Sequence, residues 1–240
     1  RSLALEDRQT PTAGPGELVL RVAYCGICGS DLHATEPNPF PLDPGTVLGH
    51  EYAGVVVQSG ADGFAPGENV VGLPLRECDD CAPSGRGCRD GLGIHCPRNR
   101  IVGMSAAVPG AYAEYVRIQA SQAIKVPPGL DLRLAALTEP LAVGLHAVRA
   151  AGDILGRRAL ILGAGPIGAA VAIFARMAGA RAVAAAEPSS ARRDLAARLG
   201  ALPIDPASGS VAEAFAAAAG GPPDIVFECV GVPGLLRQAM

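Results

Sequence analysis

A cysteine, a histidine and two glutamates, far apart in the sequence, are of the types that bind a transition metal. Cys28 follows Cys25 in CGICGSDLH, His50 and Glu51 are adjacent in GHE, and Glu139 lies in TEP. Thiolate, imidazole and carboxylate from distant segments suit a catalytic zinc, which keeps one position open for water or substrate. Separately, the cysteines could form a redox pair, the histidine could be a loop residue, and Glu139 could be an acid beside a helix start. A shared metal site is favoured because a dinucleotide motif accompanies them.

A second set of cysteines is close together in the sequence, in a polar stretch that contains glycine and proline. It has the spacing C-x2-C-x6-C-x7-C and consists of Cys78, Cys81, Cys88 and Cys96. Four thiolates in a short loop close a tetrahedral zinc site with no open position, so this zinc would be structural. The alternative is four free or partly oxidised cysteines. With the dispersed site, the prediction is two zinc ions per chain.

The segment GAGPIG follows a predicted strand and opens a predicted helix, which is the context that a dinucleotide motif requires. The first glycine makes a tight turn, the second lets the backbone approach a pyrophosphate, and the third lets the helix pack on the strand. The start of the helix then offers free N–H groups to the phosphates. The predicted cofactor residues here are Gly163, Gly165, Pro166, Ile167 and Gly168.

Glu187 strengthens the dinucleotide interpretation. It ends the second predicted strand, 19 residues after Gly168, where a carboxylate would bond the ribose hydroxyls of NAD and repel a 2′-phosphate. NAD is therefore favoured over NADP. Two alternatives remain open: Glu187 caps the following helix, or Arg192 and Arg193 nearby accept a phosphate instead.

The elements that must position these residues differ between the two halves of the chain. Short apolar runs separated by turn residues predict a β-rich first half with strands near 17–24, 51–58, 69–73 and 113–118. A helical link is expected over 134–152, with Pro140 at its first helical position. From residue 157 the pattern alternates, with strands at 159–162, 182–186, 202–204 and 224–229 and helices at 166–178, 189–199 and 211–219. Such alternation predicts βαβ units on a parallel sheet.

Composition excludes several classes of protein. The 240 residues are 49% hydrophobic and 18% charged, which is typical of a packed globular protein rather than a disordered one. A formal charge of −3 gives no reason to expect nucleic acid or an anionic membrane as partner, and the apolar runs are shorter than a bilayer span. Seven cysteines with metal-type spacing and no visible secretory signal predict a reducing compartment, the cytoplasm.

Taken in order, CGICGSDLH, GHE, the four-cysteine lobe, TEPLAVGLHA, GAGPIG and FECVG resemble the medium-chain, zinc-dependent alcohol dehydrogenase superfamily, especially its polyol, butanediol and threonine dehydrogenase branch. The resemblance implies an α/β protein with a GroES-like catalytic domain over 1–140, a Rossmann domain over 141–240 and an active site in the cleft between them. It also implies a zinc-dependent enzyme of the EC 1.1.1 type that transfers a hydride from a secondary alcohol or polyol to NAD, giving the ketone.

The resemblance also assigns roles to residues. It makes Cys28, rather than Cys25, a zinc ligand with His50, and it leaves Glu51 and Glu139 as alternatives for the remaining position. Ser30 and His33 fall where the family has a proton relay, although they could be a turn residue and a surface residue. The candidate catalytic residues are Ser30, His33 and Glu51, and Arg192 and Val230 join the cofactor residues.

Two departures from the family pattern bear on activity. Six residues rather than two separate Cys81 from Cys88, and the chain is expected to be truncated at both ends, with the later Rossmann strands missing. The alternatives are therefore an aldehyde or primary-alcohol dehydrogenase on the same scaffold, or a non-catalytic zinc- and nucleotide-binding fragment. A homo-oligomer, dimer or tetramer, is expected for the full-length form.

Overall fold

The computed structural model describes residues 3–36, 42–76 and 99–235. The chain folds into two compact units, Arg1–Glu139 and Pro140–Met240. Among the described residues, no helix combines the length and the apolar character that crossing a membrane requires.

The first unit is mainly antiparallel β-structure. Five of its strands form one sheet in the order β6-β1-β2-β3-β7, and β4 pairs with β5. Its elements are β1 (Glu17–Cys25), α1 (Gly29–Thr35), β2 (Tyr52–Ser59), β3 (Asn69–Gly72), β4 (Leu75–Arg76), β5 (Arg100–Ile101), β6 (Tyr115–Gln119), β7 (Ala123–Lys125) and α2 (Leu132–Ala135), with a 3₁₀ turn at Ala120–Gln122.

The strand β1, which lies between β6 and β2, determines where the metal-binding residue types lie. It pairs antiparallel with β2, and Cys25 at its end faces Tyr52 at the start of β2. The segment after β1 and the segment before β2 therefore emerge at the same end of this strand pair. Leu18 and Leu20 hold β1 in place, because both are fully buried in the apolar core of the unit.

The second unit alternates strands and helices around a parallel sheet, as predicted. The helix α3 (Thr138–Ala150) leads into it, so Pro140 is the third residue of that helix and not the first. Because the first-turn N–H groups of a helix have no intrahelical acceptor, proline is still tolerated there. The elements that follow are β8 (Arg158–Leu162), α4 (Pro166–Met177), β9 (Ala182–Ala186), α5 (Ser190–Arg198), β10 (Leu202–Ile204), α6 (Val211–Ala219) and β11 (Ile225–Glu228), with a 3₁₀ turn at Pro206–Ser208.

The parallel sheet has the order β10-β9-β8-β11. The chain moves outward from β8 to β9 and β10, then crosses back to β11 on the other side of β8. This reversal of direction makes the boundary between the neighbouring strands β8 and β11 the topological switch point of the sheet. In α/β sheets, ligands bind at such a point, at the carboxyl ends of the strands. The loops at residues 163, 187 and 230 all follow such strand ends.

The close packing of α4 on β8 explains the last glycine of the motif. A Cβ at Gly168 would collide with the carbonyl oxygen of Gly163. Ala170, Val171 and Ala175 of the same helix are buried in the core of the unit. The helix begins with Pro166 at its first position, where the missing N–H costs no intrahelical hydrogen bond.

Candidate functional site

Three of the predicted metal ligands meet in the first unit. One donor atom each from Cys28, His50 and Glu51 lies within 4.8 Å of the others, and both His50 and Glu51 are buried. Cys28 immediately precedes α1, while His50 and Glu51 immediately precede β2. The pairing of β1 with β2 brings together ligands that are more than twenty residues apart in sequence.

Two glycines allow the segments to approach. Gly26 donates its N–H to the carbonyl of Glu51 at 2.7 Å, and the Glu51 side chain occupies the space that a Cβ on Gly26 would need. Gly49 has φ of +96°, a conformation that side chains disfavour, and it turns the chain just before His50. The cluster thus depends on glycines next to its ligands.

The two ring nitrogens of His50 face different groups. Nδ1 lies 3.6 Å from Oδ1 of Asp31, and Nε2 lies 3.4 Å from Oγ of Ser30. Asp31 is only 3% exposed, and both its Oδ1 and the Nδ1 of His50 are buried atoms without a hydrogen-bond partner among the described residues. A metal bound at Nε2 would leave the proton on Nδ1, where it faces Asp31.

The electrostatics of the cluster favour an ionised thiol. The hydrogen bond with His50 lowers the pKa of Cys28, and the same hydrogen bond raises the pKa of His50. Burial raises the pKa of Glu51. By contrast, burial raises the pKa of Cys25 to about 12, so that thiol stays protonated at neutral pH. Of the two cysteines, Cys28 is the one prepared to act as a ligand.

The donor set fits zinc. Thiolate, imidazole and carboxylate are the three ligand types that zinc accepts, and three protein ligands leave the fourth tetrahedral position open. The two buried atoms that face each other, Oδ1 of Asp31 and Nδ1 of His50, also fit, because a carboxylate behind a ligating histidine is the usual outer partner of such a site.

The remaining residues predicted for this site are placed differently. Ser30 lies beside His50, as described above. Glu139 is not in the three-residue cluster, although its charge acts on His50, and burial raises its own pKa. His33 lies on α1 three positions after Ser30, with its side chain 56% exposed and 3.3 Å from Glu36. The structure therefore groups Ser30 with the cluster and places His33 toward solvent.

The predicted dinucleotide residues gather at the carboxyl edge of the parallel sheet. Gly163 has φ of +91°, and a Cβ there would press on Val230, so these two residues adjoin at the switch point between β8 and β11. Ile167 and Gly168 occupy the first turn of α4, where backbone N–H groups lack intrahelical acceptors. In general, the N–H groups at the start of a helix form an anion-binding site.

Glu187 is almost fully buried and holds backbone groups on both sides. Its Oε2 accepts the N–H of Ala164, inside the glycine-rich loop, at 2.8 Å, and its Oε1 accepts the N–H of Ser189 at 3.0 Å. The carboxylate therefore fixes the loop against the end of β9, in addition to any contact with a ligand.

The two arginines after Glu187 differ in availability. Arg193 donates to the carbonyl oxygens of Glu187 and Pro188 and forms a 2.8 Å ion pair with Asp205, so its guanidinium is committed to the fold. Arg192 is 60% exposed, with its guanidinium 3.9 Å from Glu187. Of this pair, Arg192 is the more available to a phosphate.

Asp31 and Tyr112 lie beside the cluster, and neither was predicted from the sequence. Asp31 belongs to the motif CGICGSDLH, and its position three residues after Cys28 in that motif was the available signal. The predicted structural zinc ligands Cys78, Cys81, Cys88 and Cys96 lie outside the described residues.

Each of the two units contains a segment that matches a known protein family. Residues 14–128 match the family described as alcohol dehydrogenase GroES-like domain, and residues 166–240 match zinc-binding dehydrogenase. The expected fold class, a GroES-like domain with a Rossmann-type α/β domain, is thereby confirmed.

Individual proteins are similar along nearly the whole chain. 2-Dehydro-3-deoxy-L-galactonate 5-dehydrogenase of Pseudoalteromonas atlantica is 38% identical over 90% of this chain and 63% of its own length. (R,R)-Butanediol dehydrogenase of Bacillus subtilis is 33% identical over 100% of this chain and 71% of its own. A zinc-binding dehydrogenase structure from Sinorhizobium meliloti, bound to NADP, superposes with a TM-score of 0.87 at 36% identity, covering 95% of this chain and 67% of that one.

These matches define the class: the chain belongs to the medium-chain, zinc-dependent alcohol dehydrogenase family. It spans 63% of the length of the galactonate-type dehydrogenase.

Proposed function

We propose that this protein is a zinc-dependent dehydrogenase that transfers a hydride from a secondary alcohol or polyol to a nicotinamide dinucleotide, giving the ketone. The observation that carries the proposal is the cluster of Cys28, His50 and Glu51, whose donor atoms lie within 4.8 Å of one another in a chain of this family. The names of the relatives support the substrate class, since butanediol and the C5 position of a sugar acid are secondary alcohols.

Zinc would be held by Cys28, His50 and Glu51, and when bound it supplies a Lewis acid that lowers the pKa of a hydroxyl group. We favour Glu51 over Glu139 as the carboxylate ligand because Glu51 shares the cluster. Oδ1 of Asp31 faces Nδ1 of His50 at 3.6 Å, so its charge would favour a proton on Nδ1 and leave Nε2 for the metal.

Ser30 would accept the proton that the substrate hydroxyl releases and at the same time pass on its own hydroxyl proton, because its Oγ lies beside the cluster, 3.4 Å from His50. His33 follows three positions later on α1, so both side chains are on neighbouring positions of the helix. Because the His33 side chain is largely exposed, it can pass the proton to solvent.

The dinucleotide would lie at the edge formed by Gly163, the start of α4, Glu187 and Val230. The first-turn N–H groups of Ile167 and Gly168 would bind the pyrophosphate, and Gly165 would let the backbone approach it. The ribose would be met by Glu187, whose negative charge disfavours a 2′-phosphate.

The proposal is tested by measuring the oxidation of butane-2,3-diol and of sorbitol by NAD, with the absorbance of NADH as the readout. Turnover should exceed that of a primary alcohol and should stop on removal of zinc and return on its replacement. Equal or greater turnover of primary alcohols would favour the alternative substrate class. Tight nucleotide binding without turnover of any alcohol would favour a non-catalytic zinc- and nucleotide-binding protein.

We propose NAD rather than NADP as the cofactor. Glu187 supports this choice, while the exposed Arg192 and the NADP-bound relative support the alternative. NAD should give the higher kcat/KM, and Glu187→Gln should reduce the ratio of NAD to NADP by about tenfold. Arg192→Ala is the matched variant and should leave NAD use unchanged. A wild-type preference for NADP, lost in Arg192→Ala, would reverse the assignment.

We propose a second, structural zinc bound by Cys78, Cys81, Cys88 and Cys96, giving two zinc ions per chain. Metal analysis by mass spectrometry should give close to two, and Cys78→Ser should remove one. One zinc that survives Cys78→Ser would show that the lobe does not bind metal. We further propose that the full-length form is a cytoplasmic homo-oligomer, for which light scattering should give a dimer or tetramer mass and a monomer would contradict it.

A further inference from the structure

Tyr112 connects the segments that carry the metal cluster. Its hydroxyl lies 2.9 Å from Oδ2 of Asp31 and 3.0 Å from the carbonyl oxygen of Gly26. Its backbone N–H donates to the carbonyl of Leu48 at 2.9 Å, and its ring fills the space above Gly49, where a Cβ would come within 2.6 Å of the ring. One side chain thus contacts the segment before Cys28, the buried aspartate and the residue before His50.

The contacts of Asp31 show what the tyrosine hydroxyl does. Oδ2 accepts the N–H of Cys28 at 2.9 Å and faces the hydroxyl of Tyr112. Oδ1 has no hydrogen-bond partner in the part of the chain that the structure describes, and it faces Nδ1 of His50 at 3.6 Å. With Oδ2 held from two directions, the carboxylate cannot rotate freely. Oδ1 is therefore directed at the histidine.

We propose that Tyr112 is a positioning residue for the metal cluster, acting through Asp31 to orient His50 as a ligand. The inference rests on the proposed function for the identity of the metal, and it concerns how firmly the chain holds that metal. The hydroxyl of Tyr112 restrains the carboxylate, the carboxylate restrains the imidazole, and Nε2 is thereby presented to zinc.

The experiment measures release of zinc from the purified full chain to a chromophoric chelator. The release phase that is absent in Cys28→Ser belongs to the cluster. Tyr112→Phe keeps the ring over Gly49 and removes only the hydroxyl, and it should accelerate this phase by about tenfold, the lower end of the effect of outer partners on metal affinity. Tyr115→Phe, the same chemical change three residues later on β6, should leave it unchanged.

A merely structural role for the tyrosine would give a different result. General loosening of the fold would accelerate any second release phase as well as the cluster phase. Action through Asp31 also predicts that Tyr112→Phe adds nothing in an Asp31→Asn background, where the carboxylate is already lost. Wild-type release rates in Tyr112→Phe, or additive effects in the double variant, would overturn the inference.

The two proposals fail separately. A wild-type cluster that holds zinc but oxidises no alcohol refutes the dehydrogenase function, and Tyr112→Phe still tests the positioning role. Conversely, suppose that the wild type is active and that Tyr112→Phe releases zinc at the wild-type rate. That result refutes the positioning role alone.

Discussion

The metal cluster of the first unit and the dinucleotide edge of the second are built from different parts of the chain. In the cluster, side chains do the chemistry: Cys28, His50 and Glu51 supply the donor atoms, and Asp31 lies buried behind the histidine. At the sheet edge the backbone contributes most, through the positive φ of Gly163 and the N–H groups at the start of α4.

This difference indicates how each region can be damaged. Loss of one polar atom in the cluster leaves another buried polar atom without a partner, which costs about 1–3 kcal/mol in a typical protein. At the sheet edge, polar atoms are mostly backbone and cannot be deleted, so the damaging change is an added methyl group. The first region is sensitive to side-chain chemistry, and the second to side-chain volume.

The largest effect is expected for Cys28→Ser, which replaces a thiolate ligand with a hydroxyl. We expect the chain to lose one zinc and kcat/KM to fall by about 10³-fold, because the metal contributes several kcal/mol to the reaction. Zinc analysis and steady-state kinetics measure both changes.

Cys25→Ser is the matched control, since that thiol is protonated and donates weakly to the carbonyl oxygen of Gly26 at 3.6 Å. It should keep its zinc and most of its activity. Equal loss in the two variants would mean that the fold of the segment, rather than a ligand, had been removed.

A smaller effect is expected from added methyl groups in the glycine-rich loop. Gly168→Ala places a Cβ against the carbonyl oxygen of Gly163, and such overpacking costs about 1–3 kcal/mol. Its free energy of unfolding in urea should fall by that amount. Gly165→Ala meets nothing within 4 Å and should fold normally, yet bind NAD about tenfold more weakly because the methyl group stands where the pyrophosphate approaches.

Titration with NAD, alongside urea denaturation, separates the two glycine variants. If Gly165→Ala bound NAD as the wild type does, the pyrophosphate would not approach that backbone, and the proposed use of the loop would be wrong.

The second unit was largely predictable from sequence because its signals are local. The strands Ala182–Ala186 and Leu202–Ile204 and the helix Val211–Ala219 coincide with the predicted ranges, since each is a short apolar or alanine-rich run bounded by glycine, proline or charge. The last glycine of the motif was predicted for the same reason, as its packing role depends on residues five positions away.

The candidate metal cluster was predictable only in part. The types of Cys28, His50 and Glu51 indicated ligands, but nothing local separates Glu51 from Glu139, because the choice depends on how β1 pairs with β2. The helix α1 was not predicted, since GSDLHAT is short and mostly polar with no apolar periodicity. Tyr112 reaches Asp31 across 81 residues, and no sequence spacing encodes that contact.

The smallest effect is expected for an ion pair of the second unit that lies away from the dinucleotide edge. At the amino ends of the parallel strands, Asp224 accepts the backbone N–H of Arg158 at 2.8 Å and pairs with its guanidinium at 3.2 Å. Arg158 lowers the pKa of Asp224 from 3.8 to about 2. The carboxylate is thus ionised in the folded protein, and its stabilisation is complete well above pH 3.8 and disappears as the pH falls toward 2.

Asp224→Asn should therefore lower the urea midpoint by a small, constant amount between pH 5 and 7, and the difference from wild type should close as the pH falls below 4. Asp153→Asn, whose carboxylate accepts the N–H of Leu155 and has no ion pair among the described residues, is the control. A difference that persists at low pH would assign the effect to hydrogen bonding rather than to charge. NAD affinity at pH 7 should not change in either variant, because the pair lies at the opposite end of the strands from the glycine-rich loop.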